Sequence, residues 1–499
     1  MPSFVNPTCL PVCALLLVGG CTVGPDFRPP PAPAVSRVTE HALPASTVAA
    51  ATPGGAAQSF AVSRDLPGDW WALFKSRQIS NLVARALAAN PDIAAAQATL
   101  RQARENLRAQ QGNQYPQISA STSAERQRES LAALGFGSGS QTYGVVSASL
   151  SVSYTLDAFG GIRRQVEQLG AQAEYERFEL EAADLALTAN VVNAAITEAS
   201  LRAQIDTTGD IVRAYDEALA VTRRRFELGG VSQVDVLQQQ ALRDSQAATL
   251  PGLRKQLEQE RNLLAVYAGG VPSQYTLPTL DLGSLTLPAA LPVSLPSALV
   301  QQRPDIRAYA ALLHAATANV GVATANMLPQ ISLTGSYGRD GTDFSNLFTP
   351  AGIVWSLAGS LTQPIFEGGT LRARKRAAEA EADAAAAQYS STVNTAFKDV
   401  ANALVALQHD AETLQADLAA QATAANSLAV ARAQYAAGAG TYLNVLTAEQ
   451  SDQSARLTLV GARAARFTDT VALFQALGGG WWHRNDTAPK PAQFAGFFP

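Results

Sequence analysis

Val146-Ser147-Ala148-Ser149-Leu150-Ser151-Val152-Ser153-Tyr154-Thr155-Leu156 is the stretch that decides the fold of this chain. Val146, Ala148, Leu150, Val152, Tyr154 and Leu156 fall on one face of an extended segment. Ser147, Ser149, Ser151, Ser153 and Thr155 fall on the other. A period of two residues means a β-strand with one apolar and one small polar face. Further on, Ile353, Trp355, Leu357, Gly359 and Leu361 alternate in the same way with Val354, Ser356, Ala358, Ser360 and Thr362. Each run has about 9–11 residues, the length that crosses an outer membrane as a tilted strand. The preceding runs, residues 117–126 and 330–339, are the expected hairpin partners, joined through Gly-, Ser- and Asp-containing loops at 127–144 and 340–351. A strand in a soluble sandwich also alternates, but a whole face of serine suits a water-filled lumen.

The two strand pairs belong to a duplication. Pro91-Asp92-Ile93 recurs as Pro304-Asp305-Ile306, and Gln117-Ile118-Ser119 recurs as Gln330-Ile331-Ser332, with no gap between the paired motifs. Phe226-Glu227-Leu228-Gly229 followed by Asp235-Val236-Leu237 answers Tyr435-Ala436-Ala437-Gly438 followed by Asn444-Val445-Leu446. A long unit repeated in order with few length changes is a duplicated structural half. Residues 67–270 form the first repeat and 297–480 the second, separated by a Pro-rich connector at 271–296.

Four strands cannot close a barrel. An open sheet edge in hydrocarbon leaves N–H and C=O groups unpaired at several kcal/mol each. If the strands span, copies of the chain must share a barrel. Eight strands would fill the barrel with side chains and twelve would leave a channel, so three copies are expected.

Between the strands the pattern is helical. Val393, Phe397, Val400, Leu404, Leu407, Ala411 and Leu414 step by four and three residues, a heptad seam for coiled-coil packing. Residues 163–227 lack proline, and a helix of roughly 65 residues would reach about 100 Å. Each long stretch breaks at a glycine turn: Gly229-Gly230 in the first repeat, Gly438 and Gly440 in the second. Glycine supplies the helix C-cap there, and Ser232 or Thr441 can cap the helix that follows. Such a tip, present in both repeats, is the natural docking or gating end.

The start of the chain reads as an export signal. Residues 10–20 are apolar and end in Gly19-Gly20 before Cys21, which resembles a bacterial lipobox. Residues 1–9 carry no Lys or Arg, a departure from the usual charged start. The expectation is removal of residues 1–20, with diacylglycerol and an N-acyl chain on Cys21 and no other cofactor. Cys9 and Cys13 leave with the signal, so no internal disulfide can form. Thr22, where retention signals carry Asp, favours transfer to the outer membrane. Residues 21–66, rich in Pro, Ala, Ser and Thr, read as a lipid-anchored extended tether, and 481–499 as a C-terminal tail.

Composition narrows the functional classes. The 499 residues are 47% hydrophobic and 16% charged with a net charge of −4, which excludes disorder and gives no signal for nucleic acid. His41, His314, His409 and His483 are scattered, and neither HExxH nor a P-loop nor GxSxG occurs, so no metal site and no enzyme is expected. Glu379 and Glu381 read as solvated acids of a helix face. A coiled-coil strut without a pore is the other class, and the serine-lined strands speak against it.

Several motifs are more specific. Cys21-Thr22-Val23-Gly24-Pro25-Asp26-Phe27, Trp70-Trp71-Ala72-Leu73-Phe74 and Leu156-Asp157-Ala158-Phe159-Gly160 are followed in order by Arg303-Pro304-Asp305-Ile306-Arg307, Pro364-Ile365-Phe366-Glu367-Gly368-Gly369 and Ala476-Leu477-Gly478-Gly479-Gly480-Trp481. Together they resemble the outer-membrane efflux lipoproteins of the TolC superfamily, NodT and OprM type. The resemblance implies an α+β membrane channel: four transmembrane strands per protomer, a twelve-stranded barrel in a homotrimer, and coiled-coil helices forming a periplasmic α-barrel. It implies an exit duct for small molecules, in partnership with a periplasmic membrane-fusion adaptor and an inner-membrane pump of the RND type. Type I protein secretion is the alternative; the lipobox and tether lean toward efflux. In that family residues just after the second glycine turn, often aspartates, narrow the periplasmic entrance. The matching positions here are Asn444 and Thr447, both uncharged, while Asp235 keeps its acid in the first repeat. Asp235 serves either this entrance or simply the start of its helix.

Overall fold

The structure, a computed structural model, describes residues 22–35, 37–62, 65–130, 138–293 and 296–484. In chain order the elements are β1 (Ser59–Val62), α1 (Arg77–Ala89), α2 (Pro91–Gly112), β2 (Gln117–Ser130), β3 (Ser140–Leu156), α3 (Gly161–Glu227), α4 (Gln233–Ala247) and α5 (Leu250–Tyr267). They continue with β4 (Ala290–Val293), α6 (Pro296–Gln302), α7 (Pro304–Ala325), β5 (Gln330–Gly341), β6 (Ile353–Thr362), α8 (Thr370–Ala436) and α9 (Tyr442–Ala476). Both α3 and α8 run for 67 residues. Two compact units arise, and each draws on both repeats. Among the described residues, one draws on 22–30, 100–176 and 309–389, and the other on 31–99, 177–308 and 390–484.

The first unit carries an antiparallel four-stranded sheet in the order β2-β3-β5-β6. The hairpins are those the alternation implies, and the central β3–β5 pairing joins one repeat to the other, with Leu150 opposite Tyr337 and Leu156 opposite Ile331. Leu156-Asp157-Ala158-Phe159-Gly160 is the hinge from sheet to helix. The Asp157 carboxylate accepts from the backbone N–H of Ile162 and of Arg163, both at 2.9 Å, so it caps α3 where acids are favoured. Residues 22–27 lie against this hinge. Val23 N–H donates to the Phe159 carbonyl, and the Arg164 guanidinium binds the Val23 carbonyl and the Asp26 carboxylate, the latter at 2.7 Å. Phe27 stacks on His314 at 4.4 Å, and His314 in turn meets Glu167 at 2.9 Å.

The second unit has an aromatic centre. Trp70 and Phe74 sit on one 3-10 turn, with Phe467 and Phe474 on α9, and all four are buried. Trp70 meets Phe474 edge-on at 5.6 Å, and Phe74 lies 6.2 Å from Phe467. These large rings explain the Trp70-Trp71-Ala72-Leu73-Phe74 motif: they anchor the start of the first repeat to the end of the second. The heptad seam on α8 is buried at Val393, Val400, Leu404, Leu407, Ala411 and Leu414, and half-buried at Phe397.

Three segments read as linkers are held in place here. β1 in the tether pairs in parallel with β4 in the Pro-rich connector. Gln58 is fully buried and accepts from the Arg466 guanidinium at 2.8 Å, while its own amide donates to the Pro288 carbonyl. Trp481 Nε1 donates to the Gln302 carbonyl, and Arg484 pairs with Glu181 and Asp184. Backbone pairing and a few buried polar contacts hold these stretches, so they needed no apolar period. Cys21 and residues 485–499 lie outside the described residues.

Phe74→Ala should cost about 3–5 kcal/mol, because the ring is fully buried between two others and the cavity cannot collapse around it. Denaturant unfolding in detergent, compared with wild type, measures the loss.

Candidate pore lining and entrance

The sheet separates its two faces along its whole width. On one face Ser121 meets Ser149 at 3.0 Å and Ser123 meets Ser147 at 2.7 Å. Ser332 meets Ser360 at 2.7 Å and Ser336 meets Ser356 at 2.8 Å. Paired hydroxyls satisfy one another and still offer lone pairs to water, and Asp340 opposite Ser147 and Glu125 beyond Ser123 add acids to the same face. The opposite face carries Ile118, Leu150, Leu333, Tyr337, Trp355, Leu357 and Leu361, all exposed, with Leu357 at 80%. A surface of large apolar side chains along the outside of a sheet needs lipid or protein to cover it. The outer edges of β2 and β6 have no partner strand among the described residues. Among those residues, too, no helix is long and apolar enough to cross a membrane.

The tips belong to the second unit. Gly229 and Gly438 adopt φ +74° and +76°, a conformation that costs other residues a steric penalty. Gly230 N–H then donates back to the Arg225 carbonyl at 2.8 Å, and Ala439 N–H donates to the Gln434 carbonyl at 2.9 Å. Both helices therefore end in the same left-handed cap. Gly440 lies in the turn without a left-handed φ. The helices that follow start differently. Ser232 and Asp235 form a reciprocal capping box, in which the Asp235 carboxylate accepts from Ser232 N–H at 2.9 Å. In the second repeat Thr441 caps α9 by accepting from Asn444 N–H.

Asn444 and Thr447 are exposed on the first turns of α9, whereas Asp235 is half-buried and engaged by its own helix. The structure brings the two tips together, but through other residues. Tyr442 Oη donates to the Gln239 side chain and meets Thr222 Oγ1 at 3.2 Å. Its ring lies 5.2 Å from that of Tyr435, over which Arg225 sits at 5.2 Å. Burial pushes the Tyr442 hydroxyl up to about 12, opposed by its bond to Thr222. The aromatic pair on either side of the second glycine turn was the available signal for this lock, because the first repeat has Phe226 and Gln233 in the matching places.

Behind the lock lies a polar seam between α4 and α9. Gln239, Gln246, Glu449 and Asp452 are all buried. Arg432 reaches Glu449 at 2.9 Å and Arg456 reaches Asp452 at 2.8 Å, and Tyr215 Oη donates to Gln453 at 3.0 Å. Burial, helped by Glu449 and Asp452, raises the Tyr215 hydroxyl well above the usual tyrosine range. Glu449 Oε2, Asp452 Oδ1 and the amide nitrogens of Gln239 and Gln246 have no hydrogen-bond partner. A partly satisfied polar seam holds less firmly than an apolar one. Among the described residues no group of three or more His, Cys, Asp or Glu is placed to hold a metal ion.

The model of the family described as outer membrane efflux protein matches residues 82–270 and 295–479. The chain is 32% identical over 490 residues to "Probable efflux pump outer membrane protein TtgC" of Pseudomonas putida, covering 97% of each. It is 28% identical over 481 residues to "Cation efflux system protein CusC" of Escherichia coli, covering 95% of this chain and 98% of that one. Among solved structures, the outer-membrane channel OprN superposes with a TM-score of 0.84 at 29% identity, over 92% of this chain and 100% of that one. With the family's model covering both repeats and these relatives matching nearly end to end, the chain belongs to the outer membrane efflux protein family, with its TolC-like α+β channel fold.

Proposed function

We propose that three copies of this chain close one twelve-stranded barrel in the outer membrane and form the exit duct of a tripartite efflux system. The observation that carries this reading is the sheet: four strands with one serine face, one exposed apolar face and two bare edges. Bare edges cannot remain in hydrocarbon, and joining β6 of one protomer to β2 of the next satisfies both at once. Three protomers leave a lumen lined by the serine face, while two would give an eight-stranded barrel filled by its own side chains. The lumen is lined by hydroxyls along the paired serines, with Asp340 opposite Ser147, and offers no specific ligand geometry, which suits passive passage of varied small molecules.

The tips serve as the periplasmic entrance and as the contact point for a membrane-fusion adaptor, itself joined to an inner-membrane pump of the RND type. Relatives named for efflux favour this assignment over type I protein secretion. The mature chain begins at a lipidated Cys21. Val23–Asp26, held by Arg164, would keep that lipid near the sheet-to-helix hinge. Mass spectrometry of the mature N-terminus should find an acylated cysteine at position 21; a free N-terminus elsewhere would refute the anchor.

Leu150→Arg or Leu357→Arg puts a charge on the lipid face and should cost about 2–4 kcal/mol per protomer near the midplane, lowering barrel assembly. Ser149→Arg or Ser356→Arg should assemble and alter single-channel conductance instead. Planar-bilayer recording with heat-modifiability gels separates the two classes, and equal assembly of both would sink the inward-serine reading.

At the entrance, threefold symmetry would triplicate any charge and focus it in a narrow passage. With Asn444 and Thr447 uncharged, hexamminecobalt added on the periplasmic side should block weakly. Asn444→Asp should strengthen block, most at low ionic strength where screening is least. Asp235→Asn should change it less, because that carboxylate is engaged in the capping box. Strong block of wild type, unchanged by Asn444→Asp, would move the constriction elsewhere.

A further inference from the structure

The two sheet-to-helix hinges are homologous in sequence, but the first balances its arginines with acids and the second carries an excess of positive charge. Aligning Gly160-Gly161 with Gly368-Gly369 sets Arg164 against Arg372 and Glu167 against Lys375. In the first repeat the positive charge is answered on the spot. Arg164 is buried and pairs with Asp26 and Glu167, both at 2.7 Å, and Asp157 caps the helix. The second repeat does the reverse. Arg372, Arg374 and Arg376 are exposed, and among the described residues no ion pair reaches them. Lys375 is partly neutralised by Glu379 at 3.4 Å. The first turn of α8 contains no acid, and Glu367 is the only carboxylate in residues 363–378. Cations at a helix N-terminus are disfavoured by the dipole, so this excess is not explained by stability of the helix.

Immediately before the arginines stand Ile365 and Phe366, exposed to 94% and 88%, continuing the apolar face that ends at Leu361. Apolar side chains followed within two turns by exposed arginines match the profile of a membrane boundary. The former enter the acyl region and the latter meet the phosphates. Resting on the reading that the sheet spans the outer membrane, we propose that Ile365 and Phe366, with Arg372 and Arg376 on one face of α8, form a docking surface for anionic phospholipid headgroups on the periplasmic side. A second copy of the chain is the poorer occupant. Closing β6 on the neighbour's β2 brings up the C-terminal half of α2, where Arg101 and Arg104 are left beside the Arg108–Glu105 ion pair. Like charges would face each other across the seam, and an anionic headgroup between them would relieve the repulsion.

The test uses the full-length protein in detergent, with phosphatidylglycerol and phosphatidylcholine as competing probes and native mass spectrometry as the readout. Wild type should retain phosphatidylglycerol preferentially, and the preference should fade at high salt. Each of Arg372→Gln and Arg376→Gln should lower it roughly five-fold, with both changes multiplying, while the paired Lys substitutions keep most of it. Conductance in planar bilayers should be unchanged, so an intact channel that has lost its lipid preference supports the surface. A channel that keeps the preference without both arginines would overturn it. So would protomers that separate equally in either lipid, which would assign the arginines to the neighbouring copy. Absence of any conducting form in wild type would instead count against the channel reading.

Discussion

Unpaired β-edges in a lipid environment are the constraint on which the rest of the molecule depends. The sheet of the first unit has apolar side chains on one face and hydroxyls on the other, so its faces are suited to lipid and water. Its edges are suited to neither. A soluble protein would cover such edges with a helix or blunt them with lysine or proline; β6, Ile353–Thr362, has no charged residue and no proline. That bareness implies a partner strand of the same kind, and a symmetric assembly supplies one without a second gene product. The duplication reinforces the point. The β3–β5 pairing inside one chain joins the second strand of one repeat to the first strand of the other, and the β6–β2 pairing between chains would repeat that junction.

Much of this was legible in the sequence because the elements concerned are governed by strict periods. Alternation fixed the extents of β6 and the core of β3 almost to the residue, and the absence of proline located the long α3. The heptad of α8 is buried nearly as written, from Val393 to Leu414. What was not legible has a common physical character. The tether and the connector pair through backbone groups in β1 and β4, and backbone hydrogen bonds leave no pattern in side-chain chemistry. Gln58 and Arg466 are buried against each other from opposite ends of the chain, a contact no local window can hold. Of the residues singled out at the entrance, Asn444 and Thr447 are exposed, while Asp235 is occupied by Ser232. The lock between the tips runs instead through Tyr442, and a tyrosine in a helix reads as ordinary packing until its hydroxyl is seen to bridge three helices.

The two ends of α9 differ in how they are held, and the difference follows from what is buried. In the second unit Trp70, Phe74, Phe467 and Phe474 pack ring against ring, while the fully buried Arg466 beside them pairs with Gln58 and leaves Nε and Nη1 unpartnered. Between α4 and α9 the chain buries two acids and two glutamines, leaving four of their atoms unpartnered. Each unpartnered atom costs about 1–3 kcal/mol in the closed arrangement, a cost that water would remove if the helices parted. Arg432 and Arg456 bind Glu449 and Asp452 from positions that are themselves half in solvent, so those ion pairs survive partial opening better than the glutamine contacts do. One end of α9 is thus fixed by rings and the other is held by groups that water can replace. A helix pair built this way has its least stable contacts where an entrance would have to move.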